Sequence, residues 1–228
     1  MSNDFDELTH RDHAASALLE RGDAFLRVAS GVEAALPVAA FFALAQEELR
    51  EALALRIAAC ERSEEAYRAC DAADQRLDRT ITDLSLAALA LAGDTNAPLF
   101  ARLFPDGPQA YTFAPIDAEL KLVECLRERL EGHPLHAQFD PQLEAESRAV
   151  AEAERTLSRA VDEETAAWAR ARKAEIAWRL RNRLTRLALE RTFREAGRPD
   201  LVDTMNRLLA VPEPWSSVPA PLAARREH

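Results

Sequence analysis

The stretch VAAFFALAQEELREALALRIAACERSEEAYRACDAADQRLDRTITDLSLAALALA, Val38–Ala92, runs for 55 residues without a glycine or a proline. A second stretch of equal length, Gln142–Ala196, shares the property, and all six glycines and twelve prolines of the 228-residue chain lie outside the two. Pro37 and Pro141 stand at the entrances, Gly93 and Gly197 at the exits. Proline is tolerated in a first helical turn, where its missing N–H has no partner to lose, and glycine supplies the left-handed residue that closes a helix. The two windows therefore read as two very long helices. At about 1.5 Å per residue each spans roughly 80 Å, whereas a compact globule of this length is about 45 Å across. The expectation is an all-α, elongated, coiled-coil-like bundle: two long antiparallel helices with shorter helices packed against them. A single domain is expected over residues 1–210, followed by a proline-rich, disordered tail over 211–228.

Within the first window, Phe42, Leu49, Leu53, Cys60, Tyr67, Cys70, Leu77, Ile81, Leu84, Ala88 and Leu91 fall on heptad a and d positions. Sustained spacing of 3.5 residues means a seam that buries against other helices. Gln46, Arg56, Ser63 and Asp74 interrupt it, which points either to a partly wet interior or to a local register device. In the second window the apolar line is Leu157, Val161, Trp168, Ile176, Leu180, Leu184 and Leu187. It steps mostly by four, longer than a heptad, and predicts a helix that runs straight or slightly right-handed along its partner.

The rest of the chain is read from its punctuation. An amphipathic helix is expected over Asp12–Ala29, and Ser30 to Glu33 has the form of a capping box opening the next helix, with Pro37 kinking or restarting it. Asn96–Phe104 reads as a short apolar helix in a connection whose Phe100, Phe104, Tyr111 and Phe113 should cap one end of the bundle. Asp117 is the expected N-cap of a helix to Leu130, and Asp140 that of the second long helix. Pro199 should open a final helix to Leu209.

Composition narrows the function. A net charge of −10 argues against a surface that coats nucleic acid or an anionic membrane as a whole. There are 27 arginines against two lysines, Lys121 and Lys173, a bias that GC-rich codon usage explains without invoking function. Cys60, Cys70 and Cys125 form no CxxC pair and no disulfide framework, and the start of the chain is acidic and polar, unlike a signal peptide. No apolar run is long enough to span a bilayer. A cytoplasmic protein with reduced thiols is expected.

One constellation stands out. Residues 142–169 carry seven acidic and three basic side chains, whereas 170–198 carry ten basic and three acidic. Such a concentration exceeds what a helix dipole, confined to the last turn, would attract. Arg172, Arg179, Arg183 and Arg186 share one face, with Trp168 and Trp178 nearby. The stripe reads either as an anion or partner contact or as a face paired with acidic neighbours in the bundle, where the acidic segment 1–30 is the expected counterpart. Two HxxH pairs, His10 with His13 and His133 with His136, would make a metal site only if four imidazoles converged. No phosphate-binding glycine loop, nucleophile elbow, zinc-protease or dinucleotide motif is present.

These readings point to a non-catalytic structural, scaffold or adaptor protein, with no metal, cofactor or small-molecule substrate inferred, acting through helix faces on a protein partner or on itself. The alternative is anion or nucleic-acid binding through the arginine-rich face of residues 172–198. A membrane-surface module of long curved helices is a third reading.

Overall fold

The computed structural model describes residues 4–210, with side chains from Ser16 onward; the expected tail over 211–228 lies outside the described residues. The described residues are 86% helical and contain no strand. Seven α-helices follow one another: α1 (Asp4–Ala29), α2 (Leu36–Ala92), α3 (Pro98–Leu103), α4 (Gln109–Thr112), α5 (Ile116–Leu130), α6 (His136–Glu195) and α7 (Asp200–Leu208), with a 3₁₀ turn at Glu33–Ala35. The two glycine- and proline-free windows are thus α2 and α6, of 57 and 60 residues.

The helix ends follow the glycine signals and depart from the expected caps at Ser30, Asp117 and Asp140. At the close of α6, Gly197 takes φ +68°. There Arg198 N–H reaches Phe193 O at 2.8 Å and Gly197 N–H reaches Arg194 O at 3.2 Å, the paired bonds that satisfy the last carbonyls of a helix. Pro37 lies in the first turn of α2 and restarts the chain rather than kinking a helix. Ser30 caps nothing: its hydroxyl donates back to Arg27 O at 2.8 Å, and the 3₁₀ turn has no side-chain cap. Asp117 stands inside α5, whose N-cap is Pro115. Asp140 is not an N-cap either, because α6 opens at His136 and carries Pro141 inside. The added turn buries Phe139, and Arg127 holds Asp140 through bonds of 2.7 and 3.2 Å. These interactions oppose the loss of one backbone bond at the proline.

The chain divides into two compact units, one formed by residues through Glu61 and from Val161 onward, the other by Arg62–Ala160. In the first unit, α1, the start of α2, the end of α6 and α7 share a core that includes Leu18, Phe25, Phe42, Leu49, Trp178, Phe193 and Met205. Phe25 meets Phe42 edge-on at 5.2 Å, and Phe42 meets Trp178 at 5.5 Å, arrangements that aromatic quadrupoles favour. The Trp178 indole donates to Gln46 Oε1 at 2.7 Å, and the Arg181 guanidinium donates to Phe41 O at 3.3 Å. As α6 advances, its contacts on α2 step back, so the two are antiparallel. Gly22 lets α1 approach: a Cβ there would lie 2.0 Å from Gln46 Oε1.

In the second unit, Leu77, Ile81, Leu84 and Ala88 of α2 pack with Val123, Leu126 and Leu130 of α5 and Phe139, Leu143 and Val150 of α6. Phe100, Phe104 and Tyr111 join this core, but Phe113 is 83% exposed and caps nothing. The Tyr111 hydroxyl donates to Leu103 O at 3.2 Å and accepts from Arg129 at 2.9 Å. Along the α2 seam, Gln46, Arg56 and Ser63 are buried with their apolar neighbours, whereas Tyr67 and Leu91 face solvent.

Candidate functional site

The helical period sorts the side chains of α6 in the first unit into opposing faces. Ala171, Glu175, Trp178, Asn182, Thr185, Leu189 and Phe193 form the buried row. Ile176, Leu180, Leu184 and Leu187, expected in the core, are instead 56%, 60%, 45% and 60% exposed. This helix end turns a row containing three polar residues inward and four large aliphatic residues outward. Glu175 and Asn182 find partners in the interior, whereas Thr185 Oγ1 and Asn182 Oδ1 are buried without hydrogen-bond partners among the described residues. Glu175 accepts from Arg172 at 3.0 Å and from Arg179 at 2.9 Å. Asn182 donates to Leu209 O at 3.0 Å.

The four arginines singled out from the sequence therefore divide. Arg172 and Arg179 clamp a buried carboxylate of their own helix, and Arg186 donates to Asn206 Oδ1 on α7 at 3.2 Å. Arg183 is exposed and makes no ion pair among the described residues. Of the acidic residues of segment 1–30 whose side chains are described, none pairs with the stripe: Glu20 is exposed and Asp23 turns to α2. Asp23 of α1 binds Arg50 at 2.7 Å and Gln46 at 2.9 Å, both on α2. Of the tryptophans expected beside the stripe, Trp178 is fully buried, and Trp168 is half-buried with its indole N–H unpartnered among the described residues.

The outcome is an apolar row edged by cations. Arg172, Arg179, Arg183 and Arg186 run along one side and Arg170 and Arg181 along the other, while Lys173 and Arg191 stand at the two ends of the row; Arg181 lies over the Phe41 ring and Arg191 pairs with Glu195. Facing Arg170 and Lys173 across a shallow groove are Glu48 and Glu51 of α2. All four are exposed, and none is in an ion pair among the described residues. The row escaped the sequence reading because large aliphatic residues at helical spacing are ordinarily core. The signal that distinguishes it is the double basic border, which a buried seam would not tolerate.

Comparison with protein-family models, curated proteins and solved structures finds no match. Any functional reading therefore rests on the chain's own geometry.

The second unit holds a different charged cluster. Glu119 of α5 is 2% exposed, and burial together with Asp74 and Asp78 of α2 pushes its carboxyl up to about 8. Burial, then Asp74, also raises Asp78. Glu119 Oε1, Asp74 Oδ1 and Asp78 Oδ1 are buried without hydrogen-bond partners. No group of three His, Cys, Asp or Glu side chains among the described residues is disposed to hold a metal ion. His133 is buried, its Nδ1 accepting from Leu135 N–H at 3.2 Å, and burial, then Arg102, lowers its pKa. His136 lies 4.0 Å from Asp140, while the side chains of His10 and His13 fall outside the described residues. No described helix is long and apolar enough to cross a membrane.

Proposed function

We propose that this protein is a non-catalytic scaffold or adaptor, and that the outward face of α6 holds an acidic amphipathic helix of a protein partner. The observation that carries this reading is the exposed row Ile176, Leu180, Leu184 and Leu187 between two basic borders. Aliphatic residues on an outer helix face gain from a second apolar surface, at about 25 cal/mol per Å² buried. Arginines beside them select a partner whose own borders are acidic. The test is titration with a synthetic acidic amphipathic helical peptide. Binding in the micromolar range, weakened on the order of tenfold or more by Leu180→Glu with Leu184→Glu, is the expected result. Equal binding by both proteins would remove the face from consideration.

A second reading, anion or nucleic-acid binding by the same helix, is favoured by Arg183, exposed and without an ion pair among the described residues. A phosphate backbone, however, gains nothing from four aliphatic side chains. Duplex binding that falls steeply with salt, at a slope set by the phosphates neutralised, would move the assignment to this reading.

A further inference from the structure

We infer that the helix received by the α6 face is α2 of a second copy of this chain, so that the protein forms a two-fold dimer through its first unit. The inference rests on the docking reading above and names its partner.

The chain carries the ligand that its α6 face would recognise. On α2, Leu44 and Leu55 are 62% and 45% exposed, with the exposed carboxylates of Glu48 and Glu51 between them, while the neighbouring Phe41 ring is covered by Arg181 of the same chain at 3.9 Å. This is an acidic amphipathic ridge of the chemistry that a basic-bordered leucine row selects. At the level of the groove, the exposed charges of α2 are the carboxylates Glu48 and Glu51 and those of α6 the cations Arg170 and Lys173. Glu48 and Glu51 face Arg170 and Lys173 across one groove of the same copy without a direct ion pair among the described residues, so an opposing copy adds a second set of opposite charges to each.

Symmetry then selects one arrangement. A two-fold axis parallel to the helices sets α6 of each copy on α2 of the other at the same level, which the Trp178–Gln46 and Arg181–Phe41 contacts fix, so that Leu180 opposes Leu44 and Lys173 opposes Glu51, twice over. A two-fold axis across the helices would stack α6 on α6 and oppose like charges, which is disfavoured. The pattern is therefore complementary to itself in one orientation and repulsive in the other.

The test is a pair of charge reversals on surface residues, read by sedimentation equilibrium with circular dichroism to confirm folding. Wild-type protein is expected to dimerise in the micromolar range. Glu48→Arg with Glu51→Arg should weaken dimerisation on the order of 10- to 100-fold, and so should Arg170→Glu with Lys173→Glu. An equimolar mixture of the two variants restores both contacts and should recover wild-type association within a few-fold. A mixture that stays monomeric, or a dimer indifferent to both variants, overturns the inference. So does a wild-type monomer that dimerises only after removal of residues 211–228, since the face would then be occupied by its own tail. A monomer that still binds the acidic peptide eliminates the second copy and leaves the docking reading standing; one that binds neither eliminates both.

Discussion

Glu175 and Glu119 are both buried glutamates, 1% and 2% exposed, and they are treated in opposite ways. In the first unit Glu175 lies between Arg172 and Arg179, which supply three or four residues along the same helix what water would have supplied. In the second unit Glu119 faces Asp74 and Asp78, with no arginine among the groups that shift it. A buried carboxylate must be paired or protonated. Glu175 takes the first course and Glu119 the second. Burial alone therefore says little about a charged residue's contribution; its neighbours decide the sign.

The largest effect should come from dismantling the clamp. Arg172→Ala with Arg179→Ala leaves Glu175 buried and uncompensated, and should cost about 3–5 kcal/mol in chemical denaturation. Restoring neutrality with Glu175→Gln in the same background should return a substantial part of that loss. An unchanged midpoint in the double variant would show that solvent already compensates the carboxylate.

The second effect is smaller and depends on pH. Glu119 holds its proton up to about pH 8 when folded, against a usual value of 4.5. Its proton-linked contribution is full below pH 4.5 and is lost as pH rises through about 8. The slope between those limits approaches 1.4 kcal/mol per pH unit, and Asp78, also raised, acts in the same direction. Glu119→Gln should flatten the profile and stabilise the protein at pH 8 by on the order of 2 kcal/mol. Parallel pH profiles for wild type and variant would mean that Glu119 ionises without cost.

The contrast also separates what was legible in the sequence from what was not. Glycine and proline act on the backbone directly, so their absence marked α2 and α6 to within a few residues at most ends. The exception, Pro141 inside α6, turned on Phe139 and Arg127, whose spatial roles no local signal carries. The seam residues Leu77, Ile81 and Leu84 are buried as the heptad spacing requires. The facing of α6 is not legible in the sequence because its buried row uses Ala171, Glu175, Asn182 and Thr185, types that resemble a surface until their surroundings are known. Asp74 was visible as an anomaly in the seam, but its neighbour Glu119 lies 45 residues further on, in another helix.

The smallest expected effect is the most informative about function. If the outward row of α6 contributes nothing to the fold of a single copy, Leu180→Ser and Leu187→Ser should each change unfolding free energy by no more than about 0.5 kcal/mol. Both side chains are 60% exposed, so truncation leaves no cavity and strands no polar group. An inward residue of the same type gives the control: Leu189, 2% exposed, should lose about 2–5 kcal/mol on replacement by alanine. The measurements belong at protein concentrations too low for association, because a dimer would add its own stability to the fold. At high concentration the outward variants should lose stability relative to wild type, and the difference between the two regimes reads the interface alone. A loss of several kcal/mol in the dilute regime would place Leu180 and Leu187 in the core and reverse the assignment of faces on which the docking surface depends.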